Sequence, residues 1–308
     1  MTEIQERIEK INEERFSDLH GHNIISVSRI FDFVGEPFDK EASAKSCELK
    51  GRNDPKYKYA GMTAEEIMAK WDATAAESRM YGMLLDDYTD QILNKTPDEL
   101  ELWKLDHNFD ADPRLKNNCI GFDQFYADIR ALGFEYAGRE ITVYGECNAT
   151  ATQAGDMPFD AEIFDAPQKN IVIGRIDCLF YNPNKESYLI VDWKTTDDIK
   201  TSAFRSKRLK GPAMKYEDCD ISKYIIQVQT YKNDLIKTYK LAPAEKIKVL
   251  ICNLKKEPEA ATGKNYRLYA ENVPFDSATL DEIVNFSIKK RALLKKIEHS
   301  HQQEENPV

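Results

Sequence analysis

No stretch of this 308-residue chain is apolar over the roughly 20 residues that a bilayer-spanning helix needs, so a membrane protein is not expected. No Cys-x-x-Cys pair occurs. The six cysteines stand apart at 47, 119, 147, 178, 219 and 252, which excludes a zinc ribbon and a four-cysteine iron–sulfur cluster. Reduced, mostly buried thiols in a cytoplasmic protein are the expectation. Positive charge is in deficit, with 43 Lys and Arg against 53 Asp and Glu and a net charge of −10. A protein that coats nucleic acid non-specifically would be basic. Internal repeats are absent, and the acidic, amphipathic stretch from Met1 to Lys10 does not read as a signal peptide. What is present, 42% apolar and 31% charged residues, suits a soluble chain with a sizeable core.

The most informative stretch runs from Gly174 to Lys194 and reads as a β-hairpin. Ile171 to Tyr181 and Ser187 to Trp193 are rich in β-branched and aromatic residues, and Asn182 to Glu186 is a cluster of turn formers. A turn centred between Asn184 and Lys185 sets Asp177 opposite Asp192, with Cβ atoms about 5 Å apart on one face. Alternation then puts Lys194 on the face of Asp192 and turns Val191 and Trp193 to the other. As scaffolding this is costly, because facing carboxylates repel and do not stay ionised in a half-buried sheet without a compensating charge. A divalent cation supplies that charge, and Mg²⁺ prefers one or two carboxylates completed by water and phosphate oxygens. The plainer alternative is an exposed hairpin edge carrying solubilising residues.

Charge is uneven. From Lys194 to Lys215 seven basic residues, Arg205, Lys207, Arg208 and Lys210 among them, face only Asp197 and Asp198. A local basic loop in an acidic protein can grip a polyanion without sticking to it everywhere, although the segment alone also fits a solvated loop. Elsewhere the pattern predicts a helix over 3–15, a short helix within 23–34 capped by Ser26 or Ser28, and a polar irregular segment over 35–59. It next predicts a helix, or a broken pair of helices, from the Thr63–Glu66 capping box to about Asn94, a loop-rich stretch over 96–118 and a helix over 121–132. A strand over 139–146, a polar surface excursion over 147–168 and a helix over 222–240 follow. The chain closes with strands over 246–253 and 266–273, a helix over 277–299 and a frayed tail.

Three motifs, Gly174-Arg175-Ile176-Asp177, Asp192-Trp193-Lys194 and Gln227-Val228-Gln229-Thr230-Tyr231, stand in that order. Together they resemble the PD-(D/E)XK nuclease superfamily, in particular its RecB-type exonuclease branch, over about residues 140–235. The segments Ser26-Val27-Ser28, Phe38-Asp39, Tyr59 to Ile67 and Trp71 are similar to the leader of exonuclease-like proteins of phages and large DNA viruses, with a more distant likeness to the mitochondrial genome maintenance exonuclease. Where the family carries Gly-Thr-x-x-His, this chain has Gly82-Met83-Leu84-Leu85-Asp86, which sets an aspartate in the place of the histidine. Glu140 matches an acid that some relatives carry on the first core strand.

The resemblance implies an α/β fold with a restriction-endonuclease-like core, a central mixed sheet flanked by helices, and a helical N-terminal extension. It divides the chain into a mainly helical region over 1–135, a nuclease core over 136–275 and a C-terminal helix and tail over 276–308, forming one integrated domain. It further implies a DNA exonuclease in phage or viral replication, recombination or repair. Asp86, Asp177, Asp192, the Trp193 carbonyl and, more weakly, Glu140 would hold Mg²⁺, or Mn²⁺ in its place. Asp177, Asp192, Lys194, Gln227 and Tyr231 would carry the chemistry; Arg205, Lys207, Arg208 and Lys210 would touch DNA. Partners would be DNA and a recombination or replication protein. An endonuclease, or a catalytically silent DNA-binding protein on the same fold, are the alternatives.

Overall fold

The computed structural model describes residues 2–147, 169–270 and 273–305, the last of these as backbone alone beyond residue 298. It has a central sheet of six strands, β1 (Asn23–Ser26), β2 (Glu135–Cys147), β3 (Asn170–Asn182), β4 (Ser187–Lys194), β5 (Ile247–Leu254) and β6 (Tyr266–Tyr269). Strands lie in the order β1-β3-β4-β5-β6, with β2 also paired to β3. The sheet is mixed: β1–β3 and β4–β5 are parallel, and the other pairs are antiparallel. Helices cover both faces, as a sheet buried on two sides requires. The central hairpin strand β4 accordingly reads as a continuous apolar run, Tyr188 to Val191, rather than an alternating one.

One face is covered by α1 (Glu3–Phe16), α2 (Val27–Val34), α7 (Asp220–Lys237) and α8 (Ser277–Glu305). Ile8, Ile30, Val34, Ile226, Val228 and Leu235 pack there on Ile190 and Ile251. The other face carries α4 (Ala64–Asn94), α5 (Pro97–Asp106) and α6 (Pro113–Ala131), whose Leu85, Trp103, Phe122 and Phe125 meet Phe180, Leu189 and Val191. A third small cluster, built on Ala44, Tyr59, Ala64 and Ile67, joins α3 (Lys40–Asn53) to the start of α4.

The Thr63–Glu66 capping box is present, and α4 runs unbroken for 31 residues from it. Two expectations need correction. The segment over 35–59 is not irregular: α3 occupies much of it, capped by Asp39, and packs through Ala44 and the close approach of Gly51 to Tyr59 rather than through a broad apolar stripe. The stretch over 96–118 is mostly helical, because both prolines sit in the first helical turn, behind Thr96 and Asp112 as caps, where a missing N–H costs nothing. The first helix packs on β2. Ser26 closes a short strand before α2 begins, and α8 continues to Glu305. Strand β6 stops at Tyr269. The expected surface excursion falls on 148–168, outside the described residues, as does the end of the tail. No helix among the described residues is long and apolar enough to cross a membrane. All six cysteines are free thiols, five of them buried.

Candidate active site

The site sits in an interruption of the sheet. Strand β2 pairs with β3 along most of its length, from Asn170 to Tyr181, so β1 and β4 must share the opposite edge. There β1 pairs with residues 170–173 and β4 with residues 178–182. Gly174 to Asp177 form a window between them. The β3–β4 register runs through Cys178↔Val191 and Phe180↔Leu189, so the next position sets Asp177 against Asp192, as the turn predicted. Backbone pairing stops there, and the Asp177 side chain takes over: the Trp193 amide donates to its Oδ2 at 2.8 Å. An extended residue points its N–H and C=O to the same edge, so the Trp193 carbonyl faces this edge too.

Helix α7 presents a polar face to the window. Tyr224, Gln227 and Tyr231 are spaced i, i+3, i+7 and lie on one side of it. Gln227 Nε2 donates to Asp192 Oδ1 at 3.0 Å and to the Tyr231 hydroxyl at 2.8 Å. Asp192, only 1% exposed, is ion-paired through Oδ2 with Lys194 Nζ. The Lys194 ammonium lies 4.6 Å from the centre of the Tyr224 ring, a contact the sequence reading missed although the helical spacing contains it. Gly174 is explained by the same helix. A Cβ there would stand 2.2 Å from Tyr231 Cε1, so only glycine lets the tyrosine lie on the strand. Ser26, Val27, Ser28 and Thr142 complete the walls of a cleft of about 410 Å³ that opens on Asp177, Gln227 and Tyr231.

Burial, and then the nearby Asp192 carboxylate, push the Asp177 pKa up to about 8. Burial works against the Lys194 ammonium, but Asp192 and Asp177 outweigh it and hold that pKa above the ordinary lysine value. A single ammonium thus does not neutralise the acid pair. This donor set fits a hard divalent cation, which needs one or two carboxylates and takes its remaining ligands from water, main chain or phosphate. Among the described residues no three His, Cys, Asp or Glu side chains converge closely enough to hold a metal ion unaided.

Two further acids border the pair without joining it. Glu140 occupies the position on β2 opposite Asp177, where the ladder skips a rung, and its φ of 51° marks left-handed backbone. Its carboxylate pairs with Arg175 Nη1 at 2.7 Å. Burial first, then Asp86, raise the Glu140 pKa. Asp86, on α4, is pinned by Arg139 of β2, whose guanidinium binds its carboxylate, its carbonyl and Asp90. Arg139 did not stand out in the sequence. It fastens the α4 layer to the sheet beside the site.

The basic loop lies between β4 and α7. Lys207 and Lys210 pair with Glu36, just past α2, at 3.2 and 3.4 Å. Arg208 Nη1 donates to the Lys215 carbonyl at 2.9 Å. Arg205, at φ 54°, projects beside the exposed Phe204 ring. Part of the loop's charge therefore fixes its own shape.

No family model and no curated protein matches the chain. Among solved structures, the protein SSO0001 aligns over 92% of this chain and 84% of its own, at 11% identity and a TM-score of 0.34. A candidate exonuclease from Eubacterium rectale aligns over 85% of each chain, at 15% identity and a TM-score of 0.36. At those scores neither likeness bears on what the chain does.

Proposed function

We propose that the protein is a Mg²⁺- or Mn²⁺-dependent deoxyribonuclease that hydrolyses phosphodiester bonds, acting on DNA ends as an exonuclease in the replication, recombination or repair of phage or viral DNA. The observation that carries this reading is the convergence of Asp177, Asp192 and Lys194 at the window, with Gln227 bridging Asp192 to Tyr231. Asp177, Asp192 and the Trp193 carbonyl would hold the cation. Bound there, it would lower the pKa of a water and take up charge on the phosphate. Lys194, held by Asp192 and Tyr224, is aimed to orient the attacking water or to offset charge gathering on the phosphoryl oxygens. Gln227 fixes the Asp192 carboxylate, leaving its other oxygen to the lysine. Arg205, with the remainder of the loop, would guide the strand, in the cytoplasm and alongside a replication or recombination partner protein.

The test is digestion of end-labelled single- and double-stranded DNA with and without Mg²⁺, beside an Asp192→Ala control and a closed circular substrate. Stepwise loss of label that needs both the metal and Asp192 is expected. Cutting of the closed circle would make the protein an endonuclease instead. A second reading, DNA binding without cleavage, is favoured by one observation: Arg139 engages Asp86 where the family's histidine would reach the metal. Retention of DNA with no metal-dependent cutting would decide for it.

A further inference from the structure

Strand β6 lies two strands beyond β4 on the side away from β3. In the registers of β4 with β5 and β5 with β6, Asp192 stands beside Ile251 and Ile251 beside Tyr269, while Lys194 stands beside Asn253 and Asn253 beside Arg267. These are two rows, two residues apart, so Tyr269 and Arg267 emerge on the same face as Asp192 and Lys194. With strands about 4.8 Å apart, Tyr269 lies about 10 Å from Asp192 along its row.

A second cleft, of about 280 Å³, opens at this end of the face. Arg267 and Tyr269 form one side, and Lys200, Thr201 and Ser202 of the loop leaving β4 form the other. The donors facing it are largely uncommitted. Lys200 has no acid within ion-pairing distance among the described residues, and the Arg267 guanidinium has only Glu259, at 3.9 Å. Neither the Thr201 nor the Ser202 hydroxyl makes a hydrogen bond among the described residues, and Asp198 is the one acid in the lining. The loop is held in place by its main chain: the Lys200 amide donates to Asp220 Oδ2 and the Ala203 amide to Glu217 Oε2. Between Arg267 and Lys194 lies Asn253, fully buried, with neither amide atom in a well-formed hydrogen bond among the described residues.

The geometry points to a second phosphate subsite here: Lys200, Arg267, Thr201 and Ser202 take a backbone phosphate of the same DNA strand whose scissile phosphate lies at Asp177 and Asp192. The inference rests on the nuclease reading for its substrate. Two cations and two hydroxyls suit a phosphodiester oxygen pair; Ile251 and Asn253 between the rows are fully buried, so a strand joining the two positions would pass over the surface by the start of α7, where the Lys200 amide meets Asp220. Asp198 opposes any anion there, and the two cations outnumber it.

The test measures binding apart from cleavage. Fluorescence anisotropy of a labelled single-stranded oligonucleotide is recorded in EDTA with the full chain and with the double variant Lys200→Ala, Arg267→Ala, both side chains being exposed and dispensable to the core. The variant is expected to bind about tenfold more weakly, with a salt dependence shallower by about one. A set of oligonucleotides with a neutral methylphosphonate stepped along the backbone should show one position that weakens the full chain and leaves the variant unaffected. Equal affinity of the two proteins, equal sensitivity at every position, or no binding by the full chain overturns the subsite. Absence of Mg²⁺-dependent cutting by the unaltered protein would instead remove the nuclease reading, and the anisotropy result would stand by itself.

Discussion

The Asp177 carboxylate stands where a strand carbonyl would otherwise be, accepting the Trp193 amide at 2.8 Å just beyond the last rung of the β3–β4 ladder. One acid therefore ends the hairpin pairing and faces the cleft at once. Its replacement by asparagine keeps an acceptor for Trp193 and removes the charge. Mn²⁺ is expected to raise the Tm of the unaltered protein, by the equivalent of about 2.7 kcal/mol at a hundredfold excess over Kd. Asp177→Asn should fold and show no such shift. Differential scanning fluorimetry reads this without any nuclease assay, and an equal shift in the variant would dismiss Asp177 as a ligand.

Gln227 and Tyr231 act on Asp192 in series, which a double-mutant cycle can expose. Gln227→Ala removes a hydrogen bond to a carboxylate and should cost about 1.5–3 kcal/mol of stability, while Tyr231→Phe should cost about 0.5–1.5 kcal/mol. Combined, they should cost less than their sum, because the tyrosine hydroxyl is held through the glutamine. Urea unfolding provides the numbers; strict additivity would show that the chain of contacts is not coupled.

Gly174→Ala forces a methyl group to within 2.2 Å of the Tyr231 ring. Overpacking of this kind costs about 1–3 kcal/mol, and the displaced ring should carry Gln227 away from Asp192. The variant should lose cleavage at temperatures where circular dichroism still finds it folded. Unchanged activity would mean that the ring's position is not needed.

Asp234, buried on α7, sets Oδ1 where a side chain on Gly145 would have to stand, and its Oδ2 has no hydrogen-bond partner among the described residues. Burial first, then Asp281, raise its pKa well above the ordinary carboxyl value, with Lys237 opposing. The native chain keeps a proton that the unfolded chain releases near pH 4, so this group's contribution is complete below about pH 4 and is lost as pH rises through the folded-state pKa. Asp234→Asn should therefore gain in Tm on the parent as pH rises from about 5 to about 8. Parallel pH profiles would contradict that.

The hairpin was legible because two constraints coincide in it: turn formers fix the centre, and counting outward from it fixes every partner, Asp177 with Asp192 included. The capped start of α4 was legible for the same reason, a local pattern with one reading. Helix α3 was not, since it buries Ala44 and Gly51 instead of an apolar stripe. Thr96 and Glu99 did carry a capping box, but Pro97 beside it reads as a break until its place in the first turn is known. Arg139, Tyr224, Arg267 and Tyr269 stay hidden because their meaning depends on long-range register: which strand ends beside which, and which helix lies above.

The gap in the edge of β3 has a consequence for how such a protein can be dissected. Where a strand has no neighbouring strand, its own amides and carbonyls meet whatever lies against that edge, and at residues 174–177 that is Tyr231 and the cleft. Contacts made there belong to the polypeptide itself and survive nearly every side-chain exchange. Alanine scanning would underrate this part of the surface, and amide-to-ester replacement along the strand is the chemistry able to weigh it.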